Sequence, residues 1–424
     1  LIFRLVYTLL LALVSPLFIY SLYKTKSGKP RIGSRWKEHW GVTPALPYRE
    51  SPIWIHAVSM GETIAATPLI YKLKEQYPEI NIVLTTTTAT GAEQAKKLGK
   101  LVTHRYMPFD FPFAINQFLK IIKPCQLIIM ETEIWPNTLH LSNHAGIPIT
   151  IVNARLSDKS CNGYKKVPTL AKQLNRSITR IVCQYPNDAN NFKTLGVHPE
   201  KLSVSGSIKF DIMVEQETKA KGQKLRKTLG SSRPVWIAAS THEGEDEIVL
   251  SAHTSLLKHK PDAILILVPR HPERFSNVKS LSEASFPTVS RSSGEKVTNS
   301  TQVYLGDTMG EMLEQIEASD ICFMGGSLVG DKVGGHNLLE PAALAKATLT
   351  GPSFYNFQDI AQALIAHNAC SVVKSSEELF ESLLSLFNND SLRTNKGQAA
   401  LEFVQRNSGA IETTIRLIGN LDNK

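Results

Sequence analysis

Residues 321–360, ICFMGGSLVGDKVGGHNLLEPAALAKATLTGPSFYNFQDI, carry the reading that decides the fold. The run 321–324 is short and apolar, fit for a buried parallel strand. It breaks into Gly325, Gly326, Gly330, Gly334 and Gly335, which let backbone approach a phosphate or ribose closely. His336, Asn337 and Glu340 then open a helix. Asn337 and Glu340 share a helical face, so Glu340 could accept from both hydroxyls of a ribose while the helix N-terminus favours nearby negative charge. A glycine-rich surface turn followed by a capped helix is the alternative that this loop leaves open.

Outward from this stretch the same alternation recurs in two blocks. Residues 53–56, 82–86, 127–130, 149–152 and 178–183 read as buried strands, separated by amphipathic stretches such as 66–76 and 92–98. A strongly charged segment, 214–233, ends in Gly230, two serines, Arg233 and Pro234. Strands then resume at 235–239, 263–268, 302–305, 321–324 and 347–350, with terminal helices from about residue 376. The expected organisation is an anchor at 1–22, a Rossmann-like α/β domain at 23–213, a linker at 214–233 and a second Rossmann-like domain at 234–424. Two such domains facing a cleft describe the GT-B glycosyltransferase layout and the periplasmic-binding-protein layout equally.

With 424 residues and 42% apolar composition the chain has ample material for two packed cores. Cys125, Cys161, Cys183, Cys322 and Cys370 show no C-x-x-C spacing, and most lie in apolar runs. They read as buried thiols of a reducing compartment rather than a disulfide framework or a zinc site. Residues 1–22 contain one charge, Arg4, and as a helix would extend about 33 Å, long enough to cross a bilayer. Lys24, Lys26, Lys29, Arg31, Arg35 and Lys37 follow before the first acid, Glu38, which by the positive-inside rule leaves the remainder on the cytoplasmic side. No small-residue cleavage site follows, which argues against a signal peptide. Pro16 keeps a half-buried helix lying on the membrane as the competing form. The net charge of +9 favours an anionic lipid surface as partner. Nucleic acid is disfavoured, because no arginine-rich run or interleaved aromatic platform accompanies the charge.

Several constellations follow strands. Ser59 and Glu62 have the capping-box spacing, so Glu62 either caps a helix or projects from a strand end, where a carboxylate could take a proton from a sugar hydroxyl. Proximity to the helix N-terminus is expected to keep it ionised. Glu131 and Glu133, in ETEIWPN at 131–137, emerge at the same sheet edge. They would share a face if the strand continued and diverge if a helix began, and an acid pair opening a helix is an equal alternative. Arg155 and Lys209 also follow strands, although singly each is more often a solvated charge. In the second half, 240–245 (STHEGE) offers hydroxyls and amides to an anion, Arg270 between Pro269 and Pro272 suits a phosphate clamp, and Gly310 permits close approach between Met309 and Glu311. No Asp-x-Asp metal motif is present.

Taken together these segments closely resemble the lipopolysaccharide 3-deoxy-D-manno-octulosonic acid (Kdo) transferases. The matching segments run in order over nearly the whole chain: RIGSR at 31–35, HAVSMGE at 56–62, ETEIWPN at 131–137, NARLS at 153–157, GSIKFD at 206–211, STHEGE at 240–245, PRHPERF at 269–275, GDTMGE at 306–311 and GGHNLLEPA at 334–342. His39 departs from the arginine usual there. The resemblance implies a GT-B enzyme with an N-terminal membrane anchor on the cytoplasmic face of the inner membrane. It implies inverting transfer of Kdo from CMP-Kdo to the lipid A precursor, without a metal or other cofactor. It implies Glu62 as general base, Glu131 and Lys209 as transition-state support, and Pro269, Arg270, Met309, Gly310, Glu311, Asn337, Leu338, Leu339 and Glu340 as the nucleotide-binding residues. A UDP-sugar donor on the same fold, or a tethered sugar-binding module without catalysis, are the readings it competes with.

Overall fold

The computed structural model describes residues 2–23 and 32–419. Lys24, Lys26, Lys29 and Arg31 of the basic block lie outside the described residues; Arg35 and Lys37 lie within them. The chain divides into two compact units, 1–211 with 408–424, and 212–407.

The first unit is built on seven strands: β1 (Ile53–His56), β2 (Ile82–Thr86), β3 (Thr103–Tyr106), β4 (Gln126–Met130), β5 (Ile149–Ala154), β6 (Arg180–Cys183) and β7 (Leu202–Val204). They pair in the order β3-β2-β1-β4-β5-β6-β7, every pair parallel. A parallel sheet is covered on both faces, so its strands carry apolar residues toward both. In β1, Trp54 packs with Val83, Leu127 and Ile129 on one face, while Ile53 and Ile55 pack with Leu84, Ile128 and Met130 on the other.

The second unit repeats the plan with β8 (Val235–Thr241), β9 (Ile264–Pro269), β10 (Thr288–Ser290), β11 (Val303–Leu305), β12 (Ile321–Met324), β13 (Ala347–Thr350) and β14 (Cys370–Val372). Their order is β10-β11-β9-β8-β12-β13-β14, again all parallel. Trp236, Leu265, Leu267 and Phe323 centre its core. All five cysteines are free.

Three boundaries differ from the sequence expectation. The charged segment expected as a linker at 214–233 is mostly a helix, Gln216–Leu229, whose Gly222, Leu225 and Leu229 are buried. It packs on the helix Met312–Ala318 so closely that a Cβ at Gly222 would sit 2.5 Å from Glu317 Cβ, and Arg226 pairs with Asp320 at 3.0 Å. Its charges are the exposed side of an amphipathic helix. The second departure is the terminal helix Ala410–Ile418, which belongs to the first unit: Ala410, Ile411, Ile415 and Ile418 join the core beneath β1 and β2. The third is the N-terminal segment. It is a helix, Ile2–Tyr23, with Pro16 inside, yet among the described residues no helix is long and apolar enough to cross a membrane. Polar residues interrupt it and dock it: Thr8 Oγ accepts from Asn137 Nδ2 at 2.9 Å and the Tyr23 hydroxyl meets His39 Nδ1 at 2.7 Å. Leu9, Leu13 and Leu17 remain exposed on it.

Candidate active site

The first sheet reverses its strand order between β1 and β4, and the second between β8 and β12. Ligands of open α/β sheets bind outside the strand C-termini at such points; Glu62 and Glu131 follow β1 and β4, and the 240–245 and 325–340 segments follow β8 and β12, whereas Lys209 follows the edge strand β7 and Met309–Glu311 follow β11.

In the first unit β1 leads into the helix Met60–Gln76, capped by Ser59. Ser59 Oγ accepts from Glu62 N at 3.3 Å and donates to Glu62 Oε1 at 3.0 Å, while Val58 N donates to Oε2 at 2.8 Å. Glu62 therefore makes a capping arrangement, reaching back one residue beyond the cap. It does so beside other acids. Burial, opposed by the Val58 amide and joined by the charges of Glu133 and Glu131, lifts its pKa to about 7. The expected dominance of the helix N-terminus is overturned: with the residue only 8% exposed, desolvation outweighs the amides.

Glu131 neither continues β4 nor opens a helix. Its φ of 57° turns the chain left-handed, its amide donates to Val152 O at 2.9 Å, and the next helix waits until Pro136. Glu133 accepts from Trp135 Nε1 at 2.9 Å. The loop is stitched to the end of β5 by Thr132 Oγ, which donates to Arg155 O at 2.5 Å and accepts from Arg155 N at 3.0 Å. Below it His56 is buried, edge-on to Trp135, and held neutral by burial with a pKa of about 4. Lys209 sits on the turn Ile208–Phe210, whose Ile208 amide donates to Asn153 Oδ1 at 3.2 Å. Asn153 adopts φ 53° to do this, so the asparagine of the 153–157 segment braces the turn that carries the lysine. The Lys209 side chain is exposed. Among the described residues no hydrogen bond or ion pair joins it to the acids.

The second unit departs further from expectation. The amides of the glycine loop are already occupied: Glu245, fully buried, accepts from Gly326 N at 2.6 Å, Ser327 N and Leu328 N at 2.9 Å each, and His242 N at 3.2 Å. The glycines serve this internal packing. A Cβ at Gly325 would meet Glu245 Oε2 and Ser240 O, and one at Gly334 would run into the Tyr355 ring. The 240–245 segment thus supplies the anion to the loop rather than receiving one, a role the sequence signals only by an acid next to a helix start.

Around this braced loop, side chains from three strand ends converge. Burial depresses the imidazoles of His242 and His336, and Arg270, whose amide donates to Thr241 O at 3.0 Å, is among the neighbouring cations that add to it; burial raises the Glu340 carboxyl, opposed by the Asn337 hydrogen bond and by Arg270. His242 Nε2 and His336 Nε2 lie 2.9 Å apart, and His271 stands edge-on to His242 at 5.3 Å. Glu340 accepts from Asn337 Nδ2 at 3.3 Å. The helix here begins at Leu339 and has five residues; Leu338 and Leu339 are buried, which leaves their backbone as what they can offer a ligand. At the end of β11, Gly310 adopts φ 89° and Met309 is 59% exposed. Glu311 accepts from Arg291 Nε at 3.1 Å and Nη2 at 3.2 Å and from Thr308, which holds its carboxyl below the ordinary range. Arg291, His242 and His271 were not singled out from sequence as individual groups, and His336 was named only as opening a helix, because no local spacing ties a lone histidine or arginine to a partner far along the chain.

Residues 34–212 match the family model described as 3-Deoxy-D-manno-octulosonic-acid transferase (kdotransferase). The chain is 40% identical over 420 residues to the 3-deoxy-D-manno-octulosonic acid transferase of Haemophilus influenzae, covering 98% of each. It is 31% identical over 429 residues to the enzyme of that name from Bordetella pertussis, covering 97% of each. Among solved structures, UDP-GlcNAc 2-epimerase from Neisseria meningitidis aligns with a TM-score of 0.58 at 16% identity, over 88% of this chain and 100% of that one. That likeness concerns the fold alone, two parallel-sheet α/β domains of GT-B type. The chain belongs to the 3-deoxy-D-manno-octulosonic acid transferase family and is a glycosyltransferase.

Proposed function

We propose that this enzyme transfers Kdo from CMP-Kdo to a lipid A precursor, lipid IVA, with inversion at the anomeric carbon. The observation that carries the proposal is Glu62: a buried carboxyl in the first turn of the helix that follows β1, with Glu131 and Glu133 beside it and a pKa of about 7, suits a general base working near neutrality. Glu62 takes the proton of the acceptor hydroxyl as that oxygen attacks Kdo from the face opposite CMP. Glu131 and Lys209 support the charge that develops. In the second unit Arg270 and the backbone at Gly310 hold the departing phosphate, the electrostatic role a metal has elsewhere, so the reaction proceeds without a cofactor. Pro269, Met309, Glu311 and the 337–340 segment shape the nucleotide pocket.

Delivery of a lipid acceptor is consistent with the apolar surface of the first unit. The exposed leucines of the helix Ile2–Tyr23 continue, through the Tyr23 contact to Trp36 O, into exposed Trp36, Val42 and Phe113. Trp40 stacks on Phe113 at 6.3 Å. We place this surface against the cytoplasmic face of the inner membrane, with the helix lying in the interface. Transfer of radiolabel from CMP-Kdo to tetra-acylated acceptor tests the reaction. Inhibition by CMP and not by UDP is the expected outcome, and UDP competition with no labelled product would overturn it.

A further inference from the structure

The second unit holds a cluster of one arginine and three imidazoles, Arg270, His242, His271 and His336, whose side chains make no hydrogen bond or ion pair to a carboxylate among the described residues. Arg270 has no side-chain hydrogen-bond or ion-pair partner among the described residues, and the carboxylates nearby are committed elsewhere. Glu245 takes the loop amides, Asp246 takes Arg274 and Thr241, and Glu340 takes Asn337. A phosphate cannot use the amides that Glu245 fills, which leaves the side chains of Arg270, His242, His271 and His336 to meet it.

Resting on the reading of a CMP-sugar donor, we infer that the facing His242–His336 pair, with Arg270 beside it, seats the donor phosphate and hands it a proton as it departs. The two Nε2 atoms, 2.9 Å apart with nearly parallel rings, require one ring to donate and the other to accept. The neutral pair thus holds one hydrogen between them, in opposite tautomers. Gly326, at φ 70°, makes the arrangement possible: a Cβ there would come within 2.8 Å of His336 Cδ2. Burial and the neighbouring cations keep both rings neutral, His242 at about 4 and His336 at about 3. The groups facing the pair are Arg270, His271 and Arg274 from the segment after β9, and Glu245, bonded to the His242 amide, from the loop after β8. An anion seated there offsets the cations and draws one proton onto the pair. When the C–O bond between Kdo and phosphate breaks, its electron pair stays on the phosphate oxygen. That oxygen receives the imidazolium proton, while the acceptor's proton passes to Glu62.

The test uses the full-length enzyme and CMP. Calorimetry at pH 7.5 in two buffers of different ionisation enthalpy reads proton uptake on binding. Wild type is expected to take up a fraction of a proton, His242→Gln and His336→Gln to take up none, and Arg270→Gln to bind CMP more than 10-fold more weakly. With CMP-Kdo as donor, kcat of the histidine variants is expected to fall on the order of 100-fold, more than KM changes, with loss of the alkaline limb of the kcat profile. Circular dichroism identifies any variant that does not fold, and the other histidine variant then decides. Folded variants that bind CMP with wild-type proton uptake and an unaltered pH profile overturn the inference. A wild type that binds no CMP overturns the donor reading itself, a distinct failure.

Discussion

At the scale of single residues, Glu62 shows how one carboxylate can cap a helix and still be poised for chemistry. Its folded pKa of about 7 lies above the ordinary 4.5, so the unfolded chain loses this proton first. Stability therefore falls as pH rises from about 4.5 to 7, where the buried charge forms. Glu62→Gln removes that charge and keeps an acceptor for the Val58 amide and a donor for Ser59. We expect transfer to fall by at least 100-fold while the melting temperature at pH 8 stays at or above wild type and CMP affinity is unchanged. Retention of most activity would remove Glu62 from the base's role. In wild type, kcat/KM should decline with unit slope as pH drops below about 7. Glu245 is the opposite case, an acid whose work is structural. Glu245→Ala strands four buried amide donors at a cost of roughly 3 kcal/mol or more, and we expect a lowered urea midpoint together with weakened CMP binding, since the loop that carries His336 loses its brace. The sequence shows Glu62 because its capping partner is three residues away. It hides three of the four partners of Glu245, which lie some eighty residues along the chain.

Elements were legible in proportion to how deeply they are buried. The central strands β1, β2, β4, β5, β8, β9, β12 and β13 announce themselves as continuous apolar runs, because both faces of a parallel sheet are covered. The strands missed from sequence, β3, β7, β10 and β14, are the four sheet edges. Each is short and at least partly exposed, so Thr103, His104 and Arg105 can stand where a central strand would need valines. The helix Gln216–Leu229 was hidden for a related reason: its buried side is narrow and includes a glycine, leaving charge to dominate the pattern. That glycine is testable. Gly222→Leu would force the helix away from Met312–Ala318, where the Cβ already meets Glu317 and the Glu314 carbonyl. A loss of about 1–3 kcal/mol is expected in chemical denaturation. Gly222→Ala should lose less, because its helix propensity offsets part of the clash. An unchanged midpoint in both would mean that the two helices do not pack as closely as described.

At the scale of the whole molecule, the chain crosses from the first unit to the second near Asp211 and returns near Ser408. The two crossings are tied together: the Asp211 carboxylate accepts from Gly409 N and Ile411 N at 2.5 Å each. This fixes the start of the helix Ala410–Ile418, which no local pattern in the sequence assigns to the first unit, since apolar spacing shows that a helix is amphipathic and not which core it fills. Ile411, Ile415 and Ile418 close the face beneath β1, the strand that ends at the Glu62 cap. Burial of each such side chain contributes about 1.5–3 kcal/mol, and an aspartate placed there adds the cost of an unpaired buried charge. Ile415→Asp is therefore expected to unfold the first unit at a lower temperature and to abolish transfer while CMP binding by the second unit persists. Scanning calorimetry with and without CMP reads both outcomes: the CMP-shifted transition should stay in place and the other should move down by several degrees. A downward shift of the CMP-responsive transition with the other left in place would reverse the assignment of this helix. Asp211→Asn, which keeps an acceptor for one of the two amides, should produce a smaller shift in the same transition.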